Sequence, residues 1–371
     1  MKVALATDWF LPRLGGIELH LADLARALIA RGVEVGILTT TPGPDFSDGL
    51  AVRRLQPLRL PMVDLAISPR LVDLLKREFV AGGYDVVHAH ISVISPVGFG
   101  AVLAAHALNL PTVVTFAGVL LRSAQFLRLA DRMLGWSRWP IIVTAVSGII
   151  AEQLRAVAPS IEVTVLPNGV DGAFWRAAAS APKPPGDGIL AVSAMRLTRK
   201  KRPAALLHAF ARARMAPAPR GRPFHLTIAG AGPLRGRLEK FVAAEGLRDH
   251  VTFLGAVPRQ TLADLYRRAD FFVLPSIHES FGIAALEARS AGLPVLGMKR
   301  AGIGEFLRDG ETAMLAADDA EFARYLERLA SDVVLRLRLA RADPDLARFE
   351  WPNVAQAHLE CFEQAIALAR G

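Results

Sequence analysis

The stretch His278-Glu279-Ser280-Phe281-Gly282-Ile283-Ala284-Ala285-Leu286-Glu287 decides how this chain is read. Just before it, Asp270-Phe271-Phe272-Val273-Leu274-Pro275 is an apolar run closed by proline, the pattern of a short buried strand. After it, Ile283 to Ala291 has helical spacing, and Gly292-Leu293-Pro294 ends it. Glu279 is therefore expected at the carboxyl end of a parallel strand, where open α/β sheets place their ligands. Ser280 shares that turn, and the N–H groups of Phe281, Gly282 and Ile283 fall at a helix N-terminus, an arrangement that holds an anion. At about 100° per residue, the spacing to Glu287 is close to a whole number of turns, so Glu287 is expected on the same face. One carboxylate can hold a sugar's hydroxyls while the other holds a ribose. Two glutamates so spaced also fit solvated helix charges; the strand before, the glycine at the turn and the stop after favour a site.

The chain has 371 residues, room for two domains of ordinary size. A hydrophobic content of 52% with 21% charged residues fits a globular, soluble protein. Its single cysteine, Cys361, rules out an internal disulfide and fits a reducing compartment, which makes cytoplasmic the expected location. The opening apolar run stops at Asp8, too early for a signal peptide. From Ile91 to Leu121 there is no Lys, Arg, Asp or Glu, but Pro96, Gly98, Gly100, Asn109 and Pro111 divide the run into a buried helix and a strand rather than a membrane span.

The formal charge of +9 is uneven, with 16 basic and 14 acidic residues up to 176 and 28 against 21 thereafter. Between Arg196 and Arg222 stand nine basic residues and no acidic one. Such a patch suggests nucleic acid first, yet no aromatic platform or nucleic-acid motif accompanies it. A small polyanion or an anionic membrane surface fits better, and no nucleic-acid partner is expected.

In order, Val3 to Ala6 reads as a strand, Gly15-Gly16 as a loop and Ile17 to Ala30 as a helix burying Leu21, Leu24, Ala25 and Leu28. The strict G-x-G-x-x-G pattern is missing, so no NAD site follows; the glycines suit either close approach to a phosphate or sugar, or a tight turn. Strands fit Val33 to Thr39, Asp85 to His88 and Pro111 to Phe116, with a helix near Pro69 to Val80. A histidine at 88 or 90 can be a ligand or base. The two are expected on opposite faces of the strand, unable to share one metal, with a structural role for at least one. Leu120 to Trp139 places Phe126, Leu129, Met133 and Trp136 within an arc of about 80° and Arg128, Asp131 and Arg132 outside it. The ordinary reading is a helix packed on its domain; the sharper one, drawing on Arg122, Arg138 and two tryptophans, is a segment at a lipid interface.

Strand Ile141 to Val146, helix Gly148 to Ala156 and strand Ile161 to Leu166 complete the first half, and Ala177 to Gly188 is a linker by composition. The second half restarts with strand Ile189 to Ala194, the basic run Arg196 to Arg202 and a helix to about Arg214. It continues with strand His225 to Ala229, turn Gly230-Ala231-Gly232-Pro233, and strand Val251 to Leu254 before Gly255-Ala256-Val257. A final helix from Trp351 turns Ala355, Leu359, Phe362 and Ile366 inward. No internal repeat and no cluster with metal-ligand spacing is evident.

Together, the Glu279 to Glu287 stretch and its flanks Ala288 to Val295 and Ala301 to Glu305 resemble the E-x7-E signature of the retaining glycosyltransferases of family 4 and its continuation. Gly15 to His20, Arg31 to Val35, Asp85 to His90 and Pro167 to Asp171 resemble the same family, which nearly the whole chain matches, most strongly from Arg196 to Gly310. The resemblance implies an α/β fold with two doubly wound Rossmann-like domains facing a cleft, the GT-B arrangement. Residues 1–176 then form an N-terminal acceptor domain, 177–188 a linker, 189–350 a C-terminal nucleotide-sugar donor domain, and 351–371 a helix crossing back to the first domain.

Function follows from the same resemblance: transfer of a hexosyl or N-acetylhexosaminyl group, with retention, from a UDP- or GDP-sugar to an acceptor hydroxyl. The acceptor is a glycan, a lipid or a small molecule, and the segments Gly15 to His20 and Asp85 to His90 lean toward relatives that glycosylate inositol lipids with N-acetylglucosamine. No cofactor and no metal is implied. Glu279, Arg196 and Lys201 carry the catalytic roles, the two cations neutralising the leaving diphosphate. Gly16, Gly230, Gly232, Val257, Ser280, Phe281, Gly282, Ile283 and Glu287 fall at the donor, and Gly15, His20, His88, His90, Thr115, Ala117, Gly118 and Asn168 at the acceptor or sugar side. Ala117-Gly118 departs from the relatives' His-Gly, leaving no proton donor or acceptor at 117. A non-catalytic or impaired sugar-nucleotide binder and a sugar-nucleotide 2-epimerase are the rival readings. Peripheral membrane contact through 120–139 and the basic surface is a further expectation.

Overall fold

Runs of Val, Ile, Leu and Ala that bury both faces of a strand build two mostly parallel sheets, each in its own compact unit. The computed structural model describes every residue except Leu14, 57–58, 61–64, 67–69, 93–94, 121–122, Ala181, 184–187, 216–222, Ala342 and Gly371, and the backbone alone at 59–60, 65–66, 179 and 215. The expected helix start at Pro69, Arg122, part of the linker and the end of the basic run lie outside the described residues.

The first unit contains Met1–Gly169. Its elements run β1 (Lys2–Thr7), α1 (Gly16–Ile29), β2 (Glu34–Thr39), β3 (Phe46–Ser47), β4 (Leu50–Arg54), β5 (Arg59–Leu60), β6 (Leu65–Ala66), α2 (Leu71–Gly82), β7 (Val86–Ile91), α3 (Pro96–Ala107), β8 (Thr112–Phe116), α4 (Ser123–Leu134), β9 (Ile141–Ala145), α5 (Gly148–Val157) and β10 (Val163–Val165). A short 3-10 turn, Trp136–Arg138, follows α4. The eight-stranded sheet has the order β10-β9-β8-β7-β1-β2-β4-β3, parallel except for the β3–β4 hairpin. α1 buries Leu21, Leu24, Ala25 and Leu28, the stripe its spacing predicts.

The second unit contains Val170–Ala347. It runs α6 (Gly172–Ser180), β11 (Ile189–Ala194), α7 (Pro203–Met215), β12 (Phe224–Ala229), α8 (Arg235–Ala244), β13 (Val251–Gly255), α9 (Arg259–Arg268), β14 (Phe271–Val273), α10 (Ile283–Ser290), β15 (Val295–Met298), β16 (Ala313–Ala316), α11 (Asp319–Ser331) and α12 (Val333–Leu339). Its six-stranded sheet is ordered β13-β12-β11-β14-β15-β16 and is parallel throughout. The order reverses beside β11, which puts β11 and β14 together at a switch point of the kind where such sheets bind ligands.

The units divide after Gly169 instead of after residue 176. Asp171 takes the Phe174 N–H at 2.9 Å as α6 begins, and the fully buried Trp175 packs on Tyr266 with ring centroids 5.4 Å apart. Ala177 and Ala178, expected in a linker, instead prolong α6, because alanine is the strongest helix former once a buried aromatic anchors the turn. The last helix, α13 (Trp351–Arg370), belongs to the first unit, where Ala355, Phe362 and Ala365 join Leu21, Leu24 and Val113 in one core. None of the helices among the described residues is long and apolar enough to cross a membrane.

Candidate active site

In the second unit the chain leaves β14 through Leu274 and Pro275 and turns at Glu279 into α10. Gly282 is the residue before the helix and has φ +91°, a left-handed value that glycine adopts without strain. The Ile303 side chain fills the place its Cβ would take, at 2.5 Å. The 3-10 turn Gly302–Glu305 closes over this bend: Gly302 N–H donates to the Glu279 carbonyl at 2.8 Å, and a Cβ on Gly302 would stand 2.1 Å from the Ser280 carbonyl oxygen. Two glycines therefore let two backbones touch, fixing Glu279 and the amides of Phe281 to Ile283 in one small volume. Phe281 is buried against Phe306, and Ser280 is half-buried.

Lys201 arrives from the loop after β11 and donates from Nζ to Glu279 Oε2 at 2.5 Å, in a pair that is largely buried. Ser276 donates its hydroxyl to the Lys201 carbonyl at 3.3 Å, tying the loop to the exit of β14. Arg202, at φ +57°, braces the same loop by donating to the Pro275 carbonyl at 3.1 Å and to both oxygens of Asp319. Arg196 is exposed on this loop. Lys200 completes the cluster: desolvation, then the like charge of Lys201, lowers its pKa from the ordinary lysine value, the charge of Glu279 partly offsets this, and Arg196 adds to it. In the sequence Lys200 is indistinguishable from the other residues of the basic run.

Gly230 and Gly232 sit against this loop. A Cβ at Gly230, where φ is +134°, would fall 1.9 Å from the Met195 carbonyl oxygen, and one at Gly232 would fall 2.5 Å from that of Leu197. Leu197 N–H donates to the Ala231 carbonyl at 2.9 Å, and Leu234 N–H to that of Leu197 at 3.1 Å. The glycine turn thus carries the backbone on either side of Arg196. Val257 is half-buried beyond β13. Glu287 lies in α10, also half-buried, and its charge adds to burial in raising the Tyr266 phenol well above its ordinary range.

The first unit places the other residues differently. Gly15 precedes α1 and Gly16 opens it. His88 and His90 do not project to opposite faces: their rings are 5.9 Å apart on one face of β7, as residues two apart in a pleated strand must be. His20 stands 6.1 Å from His90 and 5.2 Å from Trp351, and His358 stands 5.5 Å from His88. All four imidazoles, from α1, β7 and α13, are buried. Thr115 lies 2.7 Å from His88 Nε2 and 2.7 Å from the Thr144 hydroxyl, while both ring nitrogens of His90 lack a partner among the described residues. Despite this clustering, no group of three or more His, Cys, Asp or Glu among the described residues is arranged to hold a metal. Ala117 and Gly118 follow β8, buried, with Ala117 N–H donating to the Ile91 carbonyl at 2.8 Å; Asn168 is buried near the end of the unit.

Asp8, at the carboxyl end of β1, was legible only as a charge ending an apolar run. Its Oδ1 accepts the Val97 N–H at 3.0 Å in the first turn of α3, burial raises its pKa, and Oδ2 has no partner among the described residues.

Residues 14–174 match the model for Glycosyltransferase Family 4, and residues 177–344 that for Glycosyl transferases group 1. A D-inositol 3-phosphate glycosyltransferase of Streptomyces bingchenggensis is 30% identical, over 95% of this chain and 85% of its own length. The chain belongs to glycosyltransferase family 4. A second relative of this family 4 glycosyltransferase, the D-inositol 3-phosphate glycosyltransferase of Acidothermus cellulolyticus, is 28% identical over 96% of this chain and 87% of that one. Anabaena HepE, solved in complex with UDP-glucose, has a TM-score of 0.77 and covers 98% of this chain and 99% of its own at 18% identity. Likeness at that identity speaks for the fold, which is of the GT-B class in this family 4 glycosyltransferase as in its structural neighbours.

Proposed function

We propose that this family 4 glycosyltransferase moves a hexosyl or N-acetylhexosaminyl group from a UDP- or GDP-sugar to an acceptor hydroxyl with retention at the anomeric carbon. The observation that carries the reading is the Lys201–Glu279 pair, set in one turn with the amides that open α10. Glu279 and the amides of Phe281 to Ile283 orient the sugar, and Glu287 receives the ribose hydroxyls. Arg196 and Lys201 stabilise the negative charge that grows on the diphosphate as its bond to C1 breaks, and Lys201 lowers the barrier the more because Glu279 holds it in place beforehand. The departing phosphate oxygen takes the proton of the acceptor hydroxyl as that oxygen bonds to C1, so no side chain need act as base. The UDP-glucose bound by HepE supports a uridine donor, and the names of the curated relatives support inositol 3-phosphate as one acceptor to try.

The test is nucleotide release from UDP- and GDP-glucose and their N-acetylglucosamine counterparts, with myo-inositol 3-phosphate, glycans and lipids as acceptors. NMR of the product then gives its anomeric configuration. The α-linked product is expected from an α-linked donor; an inverted product removes the retention claim, and an epimer formed from donor alone makes the protein a 2-epimerase. Ala117 favours a second reading, a protein that binds the donor without turning it over, because its buried methyl offers no proton-transfer group. Tight donor binding with no hydrolysis or transfer across the panel establishes that reading instead.

A further inference from the structure

We infer that the apolar cavity beneath α4 takes the end of a hydrocarbon chain, and that the acceptor of the transfer is an anionic lipid whose chain end lodges there; this second part rests on the transferase reading. A helix linking two neighbouring parallel strands ordinarily buries its apolar stripe on the sheet. α4, between β8 and β9, buries only Leu127 in this way. Phe126, Leu129, Met133 and Leu134 are 59%, 56%, 75% and 51% exposed, so the stripe expected to pack on the domain is turned outward instead. At about 100° per residue these four, with Ala130 and Leu127, span an arc of about 160°. Its inner edge lines a cavity of about 110 Å³, and its outer edge continues that surface to the outside. Apolar patches left in the open by a soluble domain mark a contact with another apolar body.

The cavity's far walls are Phe99 and Val102 of α3 and the sheet at Ile91, Val114 and Phe116, and its lining is almost wholly carbon. An apolar space of this size stays dry and accepts apolar guests. Charge decides which guest. From Ala117 to Trp139 there are four arginines and one aspartate. The acid, Asp131, is engaged by the N–H and hydroxyl of Ser137 at 2.9 and 3.0 Å; Arg132 and Arg138 are exposed, and Arg128, also exposed, donates to the Ala156 carbonyl at 3.0 Å. Cations around an apolar mouth match a hydrocarbon chain below an anionic headgroup. Trp139, also in the lining, stacks flat on His106 with centroids 3.8 Å apart, an amphipathic ring of the kind that settles where water meets lipid. The cavity also adjoins the acceptor-side residues. Ile91 and Phe116 end β7 and β8, and Ala117, the next residue, donates its N–H to the Ile91 carbonyl.

The experiment exposes the full chain to vesicles of equal phosphatidylglycerol and phosphatidylcholine carrying a trace of phospholipid with a diazirine in its acyl chain, irradiates them and maps the adducts by mass spectrometry. Adducts are expected on Phe99, Val102 or Trp136 in the cavity lining, and Ala130→Trp, which fills the cavity, is expected to abolish them while the outward Leu129 and Met133 still label. Ala130→Leu serves as a second filling variant should tryptophan lower the Tm. Leu129→Glu with Met133→Glu is expected to weaken vesicle sedimentation by about tenfold or more, since two apolar side chains leave the lipid. Labelling that ignores the filled cavity, or labelling absent from vesicle-bound protein, overturns the inference. Self-association without lipid that the double substitution abolishes does the same, making a second copy the occupant. Binding and cleavage of UDP- and GDP-glucose and their N-acetylglucosamine counterparts are followed in the same samples: cleavage without cavity labelling sinks the lipid inference alone, and absence of binding to all four donors sinks the transferase reading whatever the labelling shows.

Discussion

Lys201 Nζ lies 2.5 Å from Glu279 Oε2, joining the loop after β11 to the turn after β14. The two strands are neighbours at the switch point of the second sheet, so their carboxyl ends deliver a cation and an anion to one place. Each group limits the other's freedom, which keeps both side chains in a single arrangement. A sugar and a diphosphate set between them would meet groups that need little reorganisation.

Lys201→Ala and Glu279→Gln are therefore each expected to lower turnover by about a hundredfold or more. Both variants should remain folded, as judged by circular dichroism and Tm. Near-wild-type transfer by the pair removes the proposed mechanism.

Gly302→Ala is expected to destabilise the second unit by about 1–3 kcal/mol, because the new Cβ must displace the backbone that carries Ser280. It should lower turnover as well, since that backbone holds Glu279. Gly304→Ala is the control: a Cβ there meets nothing within 4 Å, and its effect should stay within about 0.5 kcal/mol. Urea unfolding of both variants checks the contrast, and equal effects would show that the close approach at Gly302 is not what fixes the turn.

The buried imidazoles make stability depend on pH. Desolvation lowers His90 to about 3 and His358 to about 4, and holds His20 and His88 well below the usual histidine value.

 The unfolded chain then binds more protons than the folded one between about pH 3 and about pH 6.5. Stability is present in full above about 6.5 and is lost as the pH falls below it, by up to about 1.4 kcal/mol per pH unit for each such histidine. The Tm should fall steadily from about pH 7 to about pH 5, and His90→Leu should flatten that slope. An unchanged slope in the variant would mean that other groups carry the acid sensitivity.

Ala117→His tests whether the transfer site lacks one group. If the remaining residues are in place, adding an imidazole should raise the transfer rate by about tenfold to a hundredfold at saturating donor, with a new ionisation in the pH–rate profile. Because Ala117 is buried, the variant's Tm is measured alongside. A folded variant with an unchanged rate and profile shows that position 117 takes no part in the chemistry.

Much of the molecule was legible in advance because its signals are local. β11 begins and ends at Ile189 and Ala194, as its apolar run implies, and the strand, glycine bend and helix from Phe271 to Ser290 follow from periodicity and from Gly282. Local signals mislead where they compete. Ala177 and Ala178 looked like linker beside the prolines but were drawn into α6 by the burial of Trp175. His88 and His90 share one face, contrary to the expectation of opposite faces, because the twofold period of a strand places both on one side. α4 has the stripe of a packed helix, but no local signal says whether a stripe meets its own sheet or faces outward.

The amino-acid order by itself determined the alternation of strands and helices, the bend that carries Glu279 and the stripe of α4, since each depends on residues within a few turns of one another. Only the tertiary structure decided that Lys201 is the partner of Glu279, that four histidines from α1, β7 and α13 share one buried cluster, and that a cavity opens under α4. Those outcomes depend on strand order and on how helices settle on a sheet, which bring together groups far apart along the chain.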